Sequence, residues 1–339
     1  MSARAAAAAQ AARALRIGFV GLGWIGRKRL DAVSAAEDIE IAALADSDPG
    51  KLDLARALHP RAHAVHDLEA MLACDLDGVV IATPNGLHAS QAIACLSHGI
   101  PVFCQKPLAV SADAAQAVID AAAGVNRLLG VDFCYRYVRG MAELRQRIAD
   151  GALGEILAID LTFHNAYGPD KAWVFDRGLS GGGALLDLGV HLLDLALWLQ
   201  PAASMRASSS RLFAHGRALA PGAEDVEDMA YAELRQTNGA IVRLACSWHA
   251  HAGRDAVIAL EVFGSRGGAA WRNVNGSFYD FTLDVFQGRA SERIAAPPDE
   301  WGPRALSAWL ARLRVDSSFD EDARLYASSA RLIDEIYAG

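Results

Sequence analysis

Cysteine is scarce and unpatterned in this chain. Its five residues, Cys74, Cys95, Cys104, Cys134 and Cys246, are odd in number and show no C-x-x-C spacing. That argues against a disulfide scaffold and for free thiols in a reducing compartment, so a cytoplasmic location is expected. Basic residues are too few for nucleic acid: 32 Lys and Arg stand against 40 Asp and Glu, a net charge of −8, with no basic patch. Long hydrophobic runs are missing as well. None approaches the roughly 20 residues that a membrane helix needs. The alanine-rich segment 1–15 has neither an apolar h-region nor a twin arginine. It reads as an unprocessed, frayed helical extension outside the fold.

What the chain does have is alternating strand and helix. With 339 residues and 53% hydrophobic content it can bury two cores. The organising stretch is Gly21-Leu22-Gly23-Trp24-Ile25-Gly26, which follows the apolar run 17–20 and opens a helical segment at 25–33. Glycines at a strand-to-helix turn are what a dinucleotide site requires. The first permits the tight turn, the second lets a pyrophosphate approach the backbone, and the third lets helix and strand pack closely. The diphosphate then rests on the N–H groups at the helix start. A second strand is expected at 39–44, closed by Asp46, 20 residues past Gly26. An acid there can accept both hydroxyls of the adenosine ribose. The plainer alternative is a structural turn with a helix-capping Asp. Further strands are expected near 62–65, 78–82, 102–104 and 127–133, with helices between them. That alternation spells a Rossmann-type, doubly wound parallel sheet over 16–134.

After residue 134 the texture changes. A helix at 140–149 is followed by strands at 156–164, 205–213, 229–234, 240–248, 256–262, 269–271 and 278–285. They alternate apolar and polar residues, as a one-sided antiparallel sheet does. One long helix, 184–199, interrupts them, and helices near 304–313 and 320–338 close the chain. Region 135–339 is therefore read as an α+β substrate-binding domain with a large, mostly antiparallel open sheet backed by helices. An alternating apolar face needs cover, so a homodimer or homotetramer through that sheet is expected.

Three places carry chemistry. The helix 184–199 is apolar nearly all round, yet Asp187, His191 and Asp194 fall at i, i+4 and i+7 on one face. Buried charges need partners or a task, and an Asp one turn before a His can orient the ring and stabilise the imidazolium. A structural polar cluster is the alternative. A metal site would need further ligands, and no clear set is present. The preceding Gly181-Gly182-Gly183 allows another group to approach the helix start. Gln105-Lys106-Pro107 ends the fifth strand, on the edge where such sheets bind ligands, and an ammonium there can polarise an alcohol or ketone oxygen. Lys106 is otherwise an ordinary strand-end lysine. Thr83-Pro84-Asn85 and His88 lie on the same edge. The loop with His164, Asn165, Tyr167, Lys171, Trp173 and Phe175 offers hydrogen-bond groups and rings to a sugar-like ligand, unless it is a plain surface loop. Trp248, His249 and His251 are weaker candidates.

In this order and spacing these residues resemble the glucose–fructose oxidoreductase / inositol dehydrogenase / rhizopine catabolism (Gfo/Idh/MocA) family, from about residue 16 to the end. The carriers are the glycine motif, Asp46, the run Thr83-Pro84-Asn85-Gly86-Leu87-His88, Lys106-Pro107, and Gly182-Gly183 leading to Asp187, His191 and Asp194. The resemblance implies an NAD(P)-dependent oxidoreductase acting on sugars, polyols or their derivatives. Lys106, Asp187 and His191 match the family's catalytic lysine, aspartate and histidine. Cofactor contacts are implied for Gly21, Gly23, Trp24, Ile25, Gly26, Asp46, Ser47, Thr83, Pro84, Asn85, His88, Gln105, Lys106 and Arg136. Substrate contacts are implied for Lys106, Tyr135, Arg136, His164, Asn165, Trp173, Asp187 and His191. The chain departs at Gln105, where the family usually has Glu. A neutral amide can still bond to ribose but does not stabilise a charged Lys106 as a carboxylate would.

The sequence thus points to hydride transfer, with His191 as base and Lys106 and Asp187 positioning and balancing charge. Ser47, not arginine, follows Asp46, which favours NAD over NADP. Two rivals are a non-catalytic sensor of a dinucleotide or sugar, and a glycosidase using NAD in a transient redox step. Loss of Lys106 or His191 would have favoured the first. The second needs a leaving-group acid, and none is identifiable.

Overall fold

The computed structural model describes residues 13–339. The helical extension expected at 1–15 lies outside the described residues except at its end, where Leu15 already belongs to the first strand. The chain forms two compact units. One takes in the chain up to Ala109, Asp113–Asp132 and Pro303–Arg324; the other comprises Val110–Ala112, Phe133–Gly302 and Leu325–Gly339.

The first unit is built from β1 (Leu15–Val20), α1 (Trp24–Val33), β2 (Ile39–Ala45), α2 (Pro49–Leu58), β3 (His63–Val65), α3 (Leu68–Leu72), β4 (Gly78–Ile81), α4 (Asn85–Ser97), β5 (Val102–Cys104), α5 (Ala112–Gly124) and β6 (Leu129–Val131). The six strands are all parallel, in the order β3-β2-β1-β4-β5-β6. Chain order reverses between β1 and β4, the switch point at which doubly wound sheets bind ligands beyond the carboxyl ends of the strands. β4 is buried along its whole length, which is why it reads as an unbroken apolar run. Helix α2 starts where its sequence says it should. Asp48 accepts from Gly50 N at 2.9 Å, with Pro49 at the first position.

The second unit contains α6 (Met141–Ala149), β7 (Ile156–Asn165), the short α7 (Arg177–Ser180), a π-helical turn Leu185–Gly189 running into α8 (Val190–Leu199), and strands β8 (Met205–Ala214), β9 (Arg217–Ala218), β10 (Met229–Gln236), β11 (Ile241–Ser247), β12 (Ala256–Gly264), β13 (Gly268–Asn273), β14 (Phe281–Gln287) and β15 (Ala290–Ala295). Helices α9 (Arg304–Val315) and α10 (Leu325–Ala338) follow. The nine-stranded sheet runs β15-β14-β13-β12-β7-β11-β10-β8-β9. It is antiparallel except where β7 pairs with β11. Ile159, Leu161 and Phe163 of β7 and Val242, Leu244 and Cys246 of β11 are buried on the same side. The opposite face carries the ion pairs Arg243–Asp160 and Arg272–Glu261 beside exposed Leu157, Tyr231 and Phe263. The long apolar stretch Arg177–Leu199 has the length and hydropathy of a membrane span, contrary to the expectation that no such run exists. Its apolar window is 89% buried inside this fold, as in a core helix.

Helix α9 was expected to belong with the C-terminal region, and the structure places it in the first unit. Trp309 explains the return. A Cβ on Gly78 or on Gly130 would lie 2.6 Å from its ring, and the ring meets Phe103 at 5.7 Å. The indole fills space over β4 and β6 that only glycine leaves free. Glycine inside a buried strand often marks such a close approach.

Candidate active site

The glycine turn has the geometry its sequence calls for. Gly21 sits at φ +87°, and a Cβ there would strike the backbone of Ala82; a Cβ on Gly26 would collide with the Gly21 carbonyl. Gly23 is different, because nothing lies within 4 Å of where its Cβ would be. It is the N-cap of α1 and offers no side-chain acceptor, so no side-chain cap occupies the first N–H groups of the helix. An open backbone at a helix start accommodates a diphosphate. Trp24 stands 55% exposed beside it, and Ile25 is half-buried. Asp46, at the tip of β2, is fixed by backbone donors: Leu22 N reaches Oδ2 at 2.6 Å and Asp48 N reaches Oδ1 at 2.8 Å. Ser47 beside it is exposed. The residues present therefore fit a dinucleotide, with a fixed acid at the end of β2.

On the same edge, Thr83 Oγ1 donates to Gln91 Oε1 at 2.6 Å, and Pro84 and Asn85 begin α4, half-buried. His88 calls for a correction. It was expected to touch cofactor, but its ring is fully buried, with Nδ1 2.7 Å from the Pro107 carbonyl and Nε2 2.8 Å from the Thr83 carbonyl. Burial pushes its pKa down. The ring ties the loop after β4 to the loop after β5. Lys106 is half-buried at the end of β5, ahead of a cis bond to Pro107. Gln105 is 6% exposed, and its amide donates to Asp132 at 2.5 Å. Its side chain, expected at the cofactor, is nearly buried and engaged by that carboxylate.

In the second unit the predicted helix is not a regular α-helix. Leu185–Gly189 forms a π turn before α8 begins at Val190, so Asp187 lies in a widened turn just ahead of His191. Such turns recur at functional sites because they re-aim side chains. Both residues keep partial exposure among buried leucines. Trp248 Nε1 donates to Asp187 Oδ2 at 3.2 Å. His191 lies edge-on to Phe133 at 6.2 Å and against Tyr135 at 4.9 Å. Tyr135 was expected at a ligand; it is buried in a cluster with Phe163, Trp271, Phe281 and Trp301. Burial, helped by the nearby Cys134 and Asp187, pushes its phenol well above the ordinary range, so it stays neutral.

Arg136 also differs from expectation. Its guanidinium forks onto Asp194 through Nε at 2.7 Å and through Nη2, between the rings of Phe133, Trp198 and Tyr326. Burial alone would lower its pKa, but the Asp194 charge and hydrogen bonds raise it above its ordinary value. Asp194 is thus paired with Arg136 inside the second unit. His164 Nδ1 lies 2.8 Å from Ser247 Oγ, and burial lowers its pKa. Asn165 is half-buried at the end of β7; Trp173 is half-buried in a short 3-10 turn, with Phe175 stacked edge-on to Trp248 at 6.0 Å. Tyr167 and Lys171 are exposed in the same loop, as are His249 and His251 after β11.

The helix start has an anchor that no local pattern disclosed. Glu227, with no exposed surface, accepts from Gly183 N at 2.9 Å, Leu185 N at 2.9 Å and the Tyr337 hydroxyl at 2.9 Å. A Cβ on Gly183 would run into the Glu227 carbonyl, and one on Gly182 into Tyr337. The glycines implied an approaching group; the fold identifies it.

Two family models match the chain. The oxidoreductase family with an NAD-binding Rossmann fold covers residues 15–133, and the GFO/IDH/MocA C-terminal domain covers 141–270. A protein of Amycolatopsis mediterranei (strain S699), described as a UDP-kanosamine synthase oxidoreductase subunit, is 36% identical over 277 residues, covering 76% of this chain and 75% of its own. The chain belongs to the Gfo/Idh/MocA family. It is an NAD(P)-dependent oxidoreductase of a family that works on sugars and polyols. D-glucoside 3-dehydrogenase of Escherichia coli (strain K12) is 28% identical over 270 residues, covering 75% of this chain and 76% of its own. Among solved structures, a levoglucosan dehydrogenase in complex with NADH shares the fold, with a TM-score of 0.82 at 22% identity and 96% coverage of each chain.

Proposed function

We propose that the enzyme transfers a hydride between nicotinamide and a hydroxyl or keto carbon of a sugar, polyol or derivative. The observation that carries this is the π turn and helix start that present Asp187 and His191, with Trp248 holding the Asp187 carboxylate. When bound, the nicotinamide supplies the hydride acceptor or donor. In the oxidation direction His191 removes the hydroxyl proton as hydride leaves the same carbon. Asp187 stabilises the imidazolium that forms, and Tyr135 keeps the ring in place without titrating. Lys106 polarises the substrate oxygen. His164, Asn165 and Trp173 supply polar and ring contacts to the substrate. The sugar dehydrogenases among the relatives support that substrate class. NAD is the preferred cofactor, because the fixed Asp46 carboxylate repels a ribose phosphate. Incubating the protein with NAD and a panel of polyols, sugars and glucosides tests the reading. A substrate-dependent rise at the reduced-nicotinamide absorbance band supports it. Dinucleotide binding without turnover on any member would favour a sensor.

A further inference from the structure

The loop between β13 and β14 presents aromatic rings that the proposed chemistry does not use. Asn275 at φ +52° and Gly276 at φ +82° turn the chain, and Val274 N donates to the Asp280 carbonyl at 2.9 Å. Ser277 Oγ accepts from Tyr279 N and Asp280 N, each at 3.1 Å, and donates to Asp280 Oδ2 at 3.0 Å. Asn273 ties the turn to β12, its amide donating to the carbonyls of Ala256 and Ser277 at 3.0 and 2.9 Å. Trp301 Nε1 donates to the Tyr279 carbonyl at 2.8 Å. The backbone that carries Phe278 and Tyr279 is thus held, yet Tyr279 is 60% exposed. Tyr167, 54% exposed, meets the Phe278 ring at 6.0 Å. Rings on a fixed backbone are preorganised for a ligand, because little ordering entropy is left to lose.

Phe278 and Tyr279 border a groove of about 690 Å³, walled also by Asp255, Asp280 and Pro297-Pro298. That volume suits a small molecule. The groove lies at the sheet edge that carries the proposed active site. Ala256 opens β12 opposite Asn165 at the end of β7, and β7 runs parallel to β11, whose end leads to Trp248. Ala166 N, at the start of the loop after β7, donates to the Asp255 carbonyl at 2.8 Å. Successive ring contacts join Tyr279 to Trp301 at 6.4 Å, Trp301 to Tyr135 at 5.1 Å and Tyr135 to His191 at 4.9 Å. Two carboxylates, Asp255 and Asp280, line the groove and no Lys or Arg does; Arg254 sets the base of its stem beside Gly276. We propose that this groove is a subsite for the group attached to the reacting sugar, an uncharged second ring lying on Tyr279 with its hydroxyls donating to Asp255 and Asp280. The preferred substrate is then a neutral glycoside, not a free monosaccharide or a sugar nucleotide. An aromatic face offers apolar area to the second ring, and carboxylates accept from its hydroxyls. A diphosphate there would meet two like charges and no lining cation. The inference rests on the reading that Asp187 and His191 serve the reacting sugar.

The test compares kcat/KM with NAD across a matched series: free glucose, galactose and mannose, their methyl and phenyl glycosides, and UDP-glucose. Wild type should use the phenyl glycoside about tenfold better than the methyl glycoside of the same sugar. Tyr279→Ala should shrink that ratio by about fivefold to tenfold and Tyr167→Ala by about threefold, whereas Tyr279→Phe, which keeps the ring face, should preserve it. A wild-type ratio near one overturns the subsite. So does a ratio that Tyr279→Ala leaves unmoved, or a preference for UDP-glucose over every glycoside. If Tyr279→Ala alters the oligomeric state by light scattering while the ratio stands, the rings belong to an interface and the subsite is refuted. A wild type that binds NADH yet oxidises no member of the series refutes the functional reading, and this inference falls with it. Turnover of methyl glycosides without a phenyl preference refutes the subsite alone.

Discussion

Glu227 is the position where the structure makes its largest energetic claim. Its carboxylate satisfies the buried N–H groups of Gly183 and Leu185 and the hydroxyl of the half-buried Tyr337. Glu227→Ala leaves three donors without an acceptor. At about 1–3 kcal/mol each the ceiling is about 9 kcal/mol, and partial relaxation and water entry bring the expected loss to about 3–5 kcal/mol. Against a typical domain stability of about 5–15 kcal/mol this is severe. At about 2–4 °C per kcal/mol it corresponds to a melting-temperature fall of about 6–20 °C. Tyr337→Phe removes one donor and leaves the two backbone contacts, so it should cost about 1 kcal/mol, or about 2–4 °C. Thermal unfolding followed by circular dichroism separates the two. The sign of the pH dependence follows from burial, which pushes the Glu227 pKa up despite its donors. A raised folded-state pKa gives a contribution that is full below the unfolded value of about 4.3 and fades as pH rises through the folded one. The stability gap between wild type and Glu227→Gln should therefore narrow as pH rises from about 4 towards neutrality. A Glu227→Ala protein that melts within about 2 °C of wild type would refute the anchor, as would Tyr337→Phe being the more damaging change.

Three further outcomes follow from the same geometry. Asp46→Ala should weaken NAD binding and shrink the discrimination against NADP, checked by fluorescence titration of both; tighter binding of NADP than NAD by the wild type would contradict the reading of β2. Trp248→Phe keeps an aromatic ring but removes the indole N–H that bonds Asp187, worth about 1–2 kcal/mol, together with part of the buried indole's packing, so turnover should drop at least about fivefold to thirtyfold with dinucleotide affinity unchanged. The outer face of the nine-stranded sheet, with Leu157, Tyr231 and Phe263 exposed beside ion pairs, should be covered in a dimer or tetramer; light scattering at micromolar concentration would show a monomer if it is not.

Much of the fold was legible because its signals are local. Glycine spacing, an apolar run and an acid at a strand end define β1, α1 and β2, and continuous against alternating apolar patterns separate the buried parallel sheet from the one-sided second sheet. What escaped notice depends on contacts distant in sequence. Gly78 and Gly130 each look like ordinary strand glycines until Trp309 is placed over both. Strands β9 and β15 are too short or too polar to show a period. The π turn at Asp187 has the same composition as an α-helix. Asp46 at a strand end and the Asp187/His191 spacing on one helix were visible as patterns, while a role for Lys106 came from the resemblance. His88, Gln105, Tyr135 and Arg136 were placed at a ligand, yet each is turned inward by a partner the sequence does not name: two backbone carbonyls, Asp132, an aromatic cluster and Asp194. Glu227 gave one indirect sign, in the paired glycines that made room for it.

The central claim is that His191 acts as the proton acceptor in an NAD-linked oxidation. The most direct measurement compares wild type and His191→Ala with NAD and whichever polyol, sugar or glucoside the wild type oxidises, following the reduced nicotinamide and titrating NAD in parallel. The account predicts turnover lower by roughly 100-fold or more in the variant, with NAD affinity within a few-fold of wild type. Near-normal turnover by His191→Ala would contradict it, leaving the histidine structural and passing the acid–base role to Lys106.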